Sequence, residues 1–153
     1  FFMKIKKFFT FIIGGILALS LISCSSKYDS TTVRQYSDNI TKNILNSMAD
    51  LNYEGFSEKF DDTMKELTPD NAAFLNLVMP IQNAVGTYEK NSLEFIDAEV
   101  QKGTINVLYK AKFTNEDEPV RISISFKEDD PDHKVCGLLF NSPKIEELSK
   151  ENK

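Results

Sequence analysis

Ile105-Asn106-Val107-Leu108-Tyr109-Lys110-Ala111-Lys112-Phe113 and, past a polar loop, Val120-Arg121-Ile122-Ser123-Ile124-Ser125-Phe126-Lys127 decide how this chain folds. In the first stretch every odd position is apolar; in the second every even position is. A period of two puts each apolar set on one face of a β-strand. Asn115 to Pro119 is the turn between them. Upstream, Lys102-Gly103 marks a tight turn, and the alternation Leu93, Phe95 changes phase to Ile96, Ala98 and Val100. Such a phase change inside one strand predicts a bulge or a sharp bend. Downstream, Asp129 to His133 is a turn and Val135 to Phe140 is apolar on both faces. The sum is an antiparallel meander of four strands.

One face of that meander is apolar, and each large side chain on it gains ~1.5–3 kcal/mol from burial. The residues before Tyr88 supply the cover. Thr32 with Gln35 fits a capping box, and Val33, Tyr36, Ile40, Ile44, Met48 and Leu51 recur at three- and four-residue steps, as on an amphipathic helix. Asn52 and Gly55 end it. Phe56, Phe60, Met64 and Leu67 predict a second helix of about three turns. Thr68-Pro69-Asp70 reads as a helix start, followed by Phe74, Leu77, Val78, Ile81 and Val85. Pro80 should kink or split this helix near Met79, and Gly86 suits its end. The expected fold class is α+β, with two to three N-terminal helices packed on one face of a curved four-stranded antiparallel meander.

The 153 residues, 41% of them apolar, suffice for one core. The formal charge is −5. Met3 reads as the start, and Lys4, Lys6 and Lys7 precede an apolar run from Phe8 to Ile22, interrupted by Thr10 and Ser20. That run is shorter than the ~20 residues of a membrane-spanning helix and suits a signal peptide. Leu21-Ile22-Ser23-Cys24 resembles the lipobox of bacterial lipoproteins. The resemblance implies a diacylglycerol thioether on Cys24, cleavage before it and acylation of the new amine; two or more chains anchor stably where one is marginal. Residues 1–23 carry three lysines and no acid, so their loss takes the charge from −5 to −8. That balance excludes a nucleic-acid partner and charge-driven adsorption to anionic lipid. The expected location is extracytoplasmic, lipid-anchored to the cell membrane. In a host with two membranes the outer one is favoured, because Ser25 is not an acid.

The expected organisation is a signal peptide over 1–23, a flexible tether over 24–32, one domain over 33–143 and a charged tail over 144–153. The tail has only Ile145 and Leu148 as apolar residues and is too short to hold a helix alone. Helices first and a bent meander after them resemble the cystatin-like cone of nuclear transport factor 2-like proteins. Tyr53 to Phe60, Gly86-Thr87-Tyr88, Tyr109 to Phe113 and Gly137-Leu138-Leu139-Phe140 resemble, in that order, an uncharacterised bacterial domain-of-unknown-function family of the same fold. The resemblance implies a cone and a cell-surface setting, and brings no catalytic residues with it. Some members of that family precede an α/β-hydrolase domain; no Gly-x-Ser-x-Gly nucleophile elbow occurs here.

Candidate chemistry is sparse. With Cys24 acylated, Cys136 has no disulfide partner, and His133 is the only histidine. Cys136 and His133 stand at a thiol–imidazole spacing, but a strand cysteine ordinarily acts as a small buried hydrophobe. Asp129, Asp130 and Asp132 lack the alternating ligands, glycine and distal glutamate of a calcium loop. Asp61-Asp62 and Glu94, Asp97 and Glu99 show no acid–base spacing. The outer sheet face gathers Lys110, Lys112, Arg121 and Lys127 with Ser123 and Ser125, a candidate face for an anionic envelope polymer, lipid headgroups or an acidic protein. Against that, lysines on a sheet also serve to discourage edge pairing. A cavity between helices and sheet would be lined by Phe56, Phe60, Met64, Tyr88, Tyr109 and Phe113. The expected function is a membrane-anchored, non-catalytic binding or accessory module, without metal or cofactor. The rivals are a small-molecule-binding cone with an apolar pocket and an isomerase- or hydrolase-type enzyme on the same fold.

Overall fold

The computed structural model describes residues 28–151. The expected signal peptide, the lipobox-like stretch and Cys24 lie outside the described residues. The order of elements is α1 (Ser30–Ala49), α2 (Tyr53–Ser57), α3 (Asp62–Leu67), α4 (Asn71–Val85), β1 (Glu94–Gln101), β2 (Thr104–Ala111), β3 (Val120–Lys127), β4 (Val135–Asn141) and α5 (Pro143–Glu151). The strands form one antiparallel sheet in the order β1-β2-β3-β4, as the alternation requires. The fold is α+β.

The period-two pattern is realised residue by residue. Ile105, Val107, Tyr109 and Ala111 of β2 and Val120, Ile122, Ile124 and Phe126 of β3 are all buried. With Val33, Ile40, Ile44, Leu45 and Met48 of α1 and Phe74, Val78 and Val85 of α4 they make one core. The phase change in β1 is a register shift between Phe95 and Asp97. Ile96 is the extra residue and is 41% exposed, so the inward set resumes at Ala98 and not at Ile96 as the phase suggested. Lys102 and Gly103 both take positive φ, 51° and 78°. This is the two-residue turn whose twist matches that of the strands.

The helical half differs from the expectation in five places. α1 starts at Ser30 because Asp29 accepts from the Thr31 amide, so three residues of the presumed tether are helical and Thr32 is not the cap. The expected three-turn helix is two short ones. Phe60 between them pairs with Val135, and Asp61 starts α3 afresh by accepting from the Met64 amide at 2.9 Å. α4 is capped by Asp70, leaving Thr68 and Pro69 outside it. It also runs through Pro80 unsplit; Pro80 and Asn76, whose carbonyl loses its donor, both lie on its exposed side. The tail is the fifth helix. Ser142 accepts from the Ile145 amide, Pro143 takes the first position, and Ile145 packs on the core. Tertiary contact supplies what nine residues lack alone. Helical structure therefore extends beyond 33–143 at both ends.

Gly86 closes α4 with φ 80°, and a Cβ there would stand 2.1 Å from Thr114 Oγ1. Gln82 Nε2 donates to the Met48 carbonyl at 2.7 Å and ties α4 to the end of α1. Among the described residues no helix is long and apolar enough to cross a membrane.

Candidate functional site

The sheet is wider than its helical cover. Met48, Phe56, Phe60, Met64, Leu67, Thr68, Leu77, Ile81, Leu138 and Phe140 surround a groove of about 340 Å³ between the short helices, α4 and the inner side of β4. That volume lies within the usual range of small-molecule sites, about 300–1,000 Å³. Its floor is fixed by packed rings: Phe56 meets Phe60 edge-on at 4.9 Å and Phe74 at a tilt at 4.8 Å between centroids. Thr68 contributes no free polarity, because its hydroxyl donates to the Met64 carbonyl and its own carbonyl accepts from the Tyr53 hydroxyl. The wall is therefore apolar. At the mouth Leu67 is 70% exposed and Leu77 47%. Both belong to stripes that the sequence assigns to the core.

Of the cavity residues expected from sequence, Phe56, Phe60 and Met64 line this groove. Tyr88, Tyr109 and Phe113 do not. They are buried elsewhere, Tyr88 beside Phe113 where their backbones bridge. Met48, Leu138 and Phe140 were missed. Placing them requires knowing that β4 lies at the edge and that the end of α1 arrives beside it. A larger hollow of about 500 Å³ at Lys102, Gly103, Thr104, Lys127, Glu128 and Asp129 is an open dip over two turns, with cations and acids interleaved, and gives a ligand little to enclose it.

Tyr109 is pinned from α1. Its hydroxyl donates to Asp38 Oδ1 at 2.7 Å, which leaves it to accept from the Ser37 hydroxyl at 2.6 Å. Burial is the main cause that pushes the phenol well above its ordinary pKa, and the neighbouring carboxylate adds to it. Asp38 is held in turn by Arg34, 3.1 Å away, and the Arg34 guanidinium lies over the Phe95 ring. Ser37 has no imidazole beside it. The trio orients a core tyrosine.

The outer face is less cationic than its sequence. Lys110 pairs with Glu94 at 3.0 Å, and Lys127 with Asp61 at 3.5 Å. Lys112 and Arg121 make no ion pair among the described residues. Pairing of two cations in four weakens the field an anionic polymer would meet.

His133 takes φ 50° in its turn, and its ring stacks on Tyr36 with centroids 3.8 Å apart. Cys136 is half-buried, the extra residue where the β3–β4 register shifts. Burial, then the Asp61 charge, pushes its thiol pKa up. Among the described residues no hydrogen bond joins Cys136 to His133, whose ring stacks instead on Tyr36. Asp130 accepts from the Asp132 and Lys134 amides, which lowers its pKa and commits the carboxylate to the turn. Among the described residues no group of three His, Cys, Asp or Glu could hold a metal ion.

Comparison with protein-family models, with curated proteins and with solved structures finds no match for this chain.

Proposed function

We propose that this protein is an extracytoplasmic binding module, a cystatin-like cone tied to a membrane through lipidated Cys24, with no catalytic role. Its working part is the groove beside β4, which takes an apolar ligand. The observation that carries this reading is the open apolar groove itself. Leaving Leu67 and Leu77 in water forgoes the gain of covering them, about 25 cal/mol per Å². A ligand restores that gain. The signal run and lipobox support the membrane setting, and the unpaired remainder of the cationic sheet face, Lys112 and Arg121, makes a polyanion the weaker choice of partner.

The test is a titration of the chain from Cys24 onward with decanoate, following displacement of a fluorescent fatty-acid analogue. One ligand per chain is expected, with binding at least tenfold weaker in the folded variant Leu77→Lys. No displacement, or displacement indifferent to Leu77→Lys, would dispose of the groove as the site.

A further inference from the structure

We infer that the occupant of this groove is an extended peptide segment, apolar at alternate positions and basic at its flanks, which adds to the open edge of β4 as a fifth strand. The inference rests on the groove being the binding site, as proposed above, and names the class of partner.

The two edges of the sheet are built differently. β1 carries Glu94, Asp97 and Glu99 and a bulge at Ile96, devices that keep a second strand away. From Val135 to Ser142 the β4 side has neither a charge nor a proline. Leu139, on its outer face, is 64% exposed. An uncharged apolar edge invites pairing.

Backbone direction follows from the register. In the two-residue hairpin Gln101 and Thr104 exchange hydrogen bonds, and alternation then turns Ile105, Val107 and Tyr109 toward β3. Their partners Phe126, Ile124 and Ile122 face β2, so Ser125, Ser123 and Arg121 face β4. These stand opposite Gly137, Leu139 and Asn141. What remains, Leu138 and Phe140, presents amide and carbonyl groups to the open edge. No described residue hydrogen-bonds them. The side chains of the same two residues line the groove. An added strand would meet two donors and two acceptors and could drop alternate side chains into the cavity.

The chain itself begins this mode and then abandons it. The Val135 amide donates to the Lys59 carbonyl at 2.8 Å, and its carbonyl accepts from the Asp61 amide at 3.0 Å. Past Asp61 the chain turns into α3, and the edge beyond is left uncovered. The surround selects the charge of the partner. The segment from Tyr53 to Asp70, which carries two groove walls, has six acids (Glu54, Glu58, Asp61, Asp62, Glu66, Asp70) against two lysines. Basic flanks complement it.

The probe is a synthetic decapeptide, Lys-Lys-Val-Thr-Leu-Thr-Val-Thr-Lys-Lys, titrated into the chain from Cys24 onward and read by hydrogen exchange and calorimetry. Saturating binding with protection of the Leu138 and Phe140 amides is expected. Backbone N-methylation of the peptide at alternate residues should weaken it at least tenfold. So should Leu138→Pro, which removes an outward amide together with one groove-lining side chain and leaves the β3 ladder whole; Leu138→Ala, which removes the side chain alone, should weaken it less. If the proline variant does not fold, the N-methylated peptide still decides. Absence of peptide binding, or indifference to N-methylation, overturns the inference. Where decanoate still binds, the groove reading survives; where neither binds, both fall. Concentration-dependent protection of the same two amides without peptide would identify a second copy as occupant, and would also overturn it.

Discussion

Tyr109 and Tyr36 both pack into the core, yet their hydroxyls stand in opposite circumstances. Tyr109 donates to Asp38 and accepts from Ser37. The Tyr36 hydroxyl is buried without a partner while its ring lies between His133 and Phe126. Removing one partner of a charged hydrogen bond costs about 1.5–3 kcal/mol, whereas deleting an unsatisfied buried hydroxyl removes a penalty. We therefore expect Tyr109→Phe to destabilise the domain by about 2 kcal/mol and Tyr36→Phe to leave it unchanged or up to ~1 kcal/mol more stable. Urea unfolding checks both, and equal losses would contradict the assignment. The same residues set the alkaline limit. Burial raises Tyr36 from its ordinary 10 to about 12. Between those values the unfolded chain has lost the proton and the folded one keeps it, so this contribution is whole below pH 10 and falls as pH rises toward 12. Unfolding followed by phenolate absorbance should shift to higher pH in Tyr36→Phe.

Among the elements, α4 is the one built against its own propensity. Pro80 lies inside its fifteen residues, with no amide for the Asn76 carbonyl. Because both residues are exposed and the helix is unbroken, Pro80→Ala restores that bond without disturbing the core. An increase of about 1–3 kcal/mol is expected, seen as a higher urea midpoint at unchanged slope. A decrease would mean that the proline sets the course of the helix past the groove. The remaining elements show how far local signals carry. β2 and β3 appear in the sequence as they do in space, since alternation needs only one flat neighbour. α5 was hidden because its stability comes from a cap at Ser142 and from Ile145 packing on the core. The break at Phe60 was hidden because its cause is Val135, far along the chain.

For the whole molecule, the proposed loss of residues 1–23 would leave a charge of −8, which gives no electrostatic hold on an anionic membrane. On the proposed reading, anchoring then rests on Cys24 alone. Cys24→Ser is expected to move the protein from the membrane pellet to the soluble fraction of fractionated cells while leaving its fold and the decanoate affinity of the groove intact. A variant that stays in the pellet would separate membrane attachment from residue 24. Such separability is a property of the architecture: α1 is twenty residues long, about 30 Å. α1 begins at Ser30, two residues from the start of the described chain, and the groove meets it at Met48.

Alternation from Ile105 to Phe126 and the turn at Lys102-Gly103 determined the meander and the inward faces of β2 and β3, and the phase change at Phe95 announced a bulge without saying that Ala98 resumes the inward set, because strand pattern is written in nearest neighbours. The same reading found Phe56, Phe60 and Met64 for the groove. Only the tertiary structure decided that Leu67 and Leu77 face solvent, that Lys110 and Lys127 are paired, and that Leu138 and Phe140 stand at an open edge. Each of those depends on which residues distant in sequence arrive beside them, and a periodic pattern fixes the face a side chain occupies but not what covers that face.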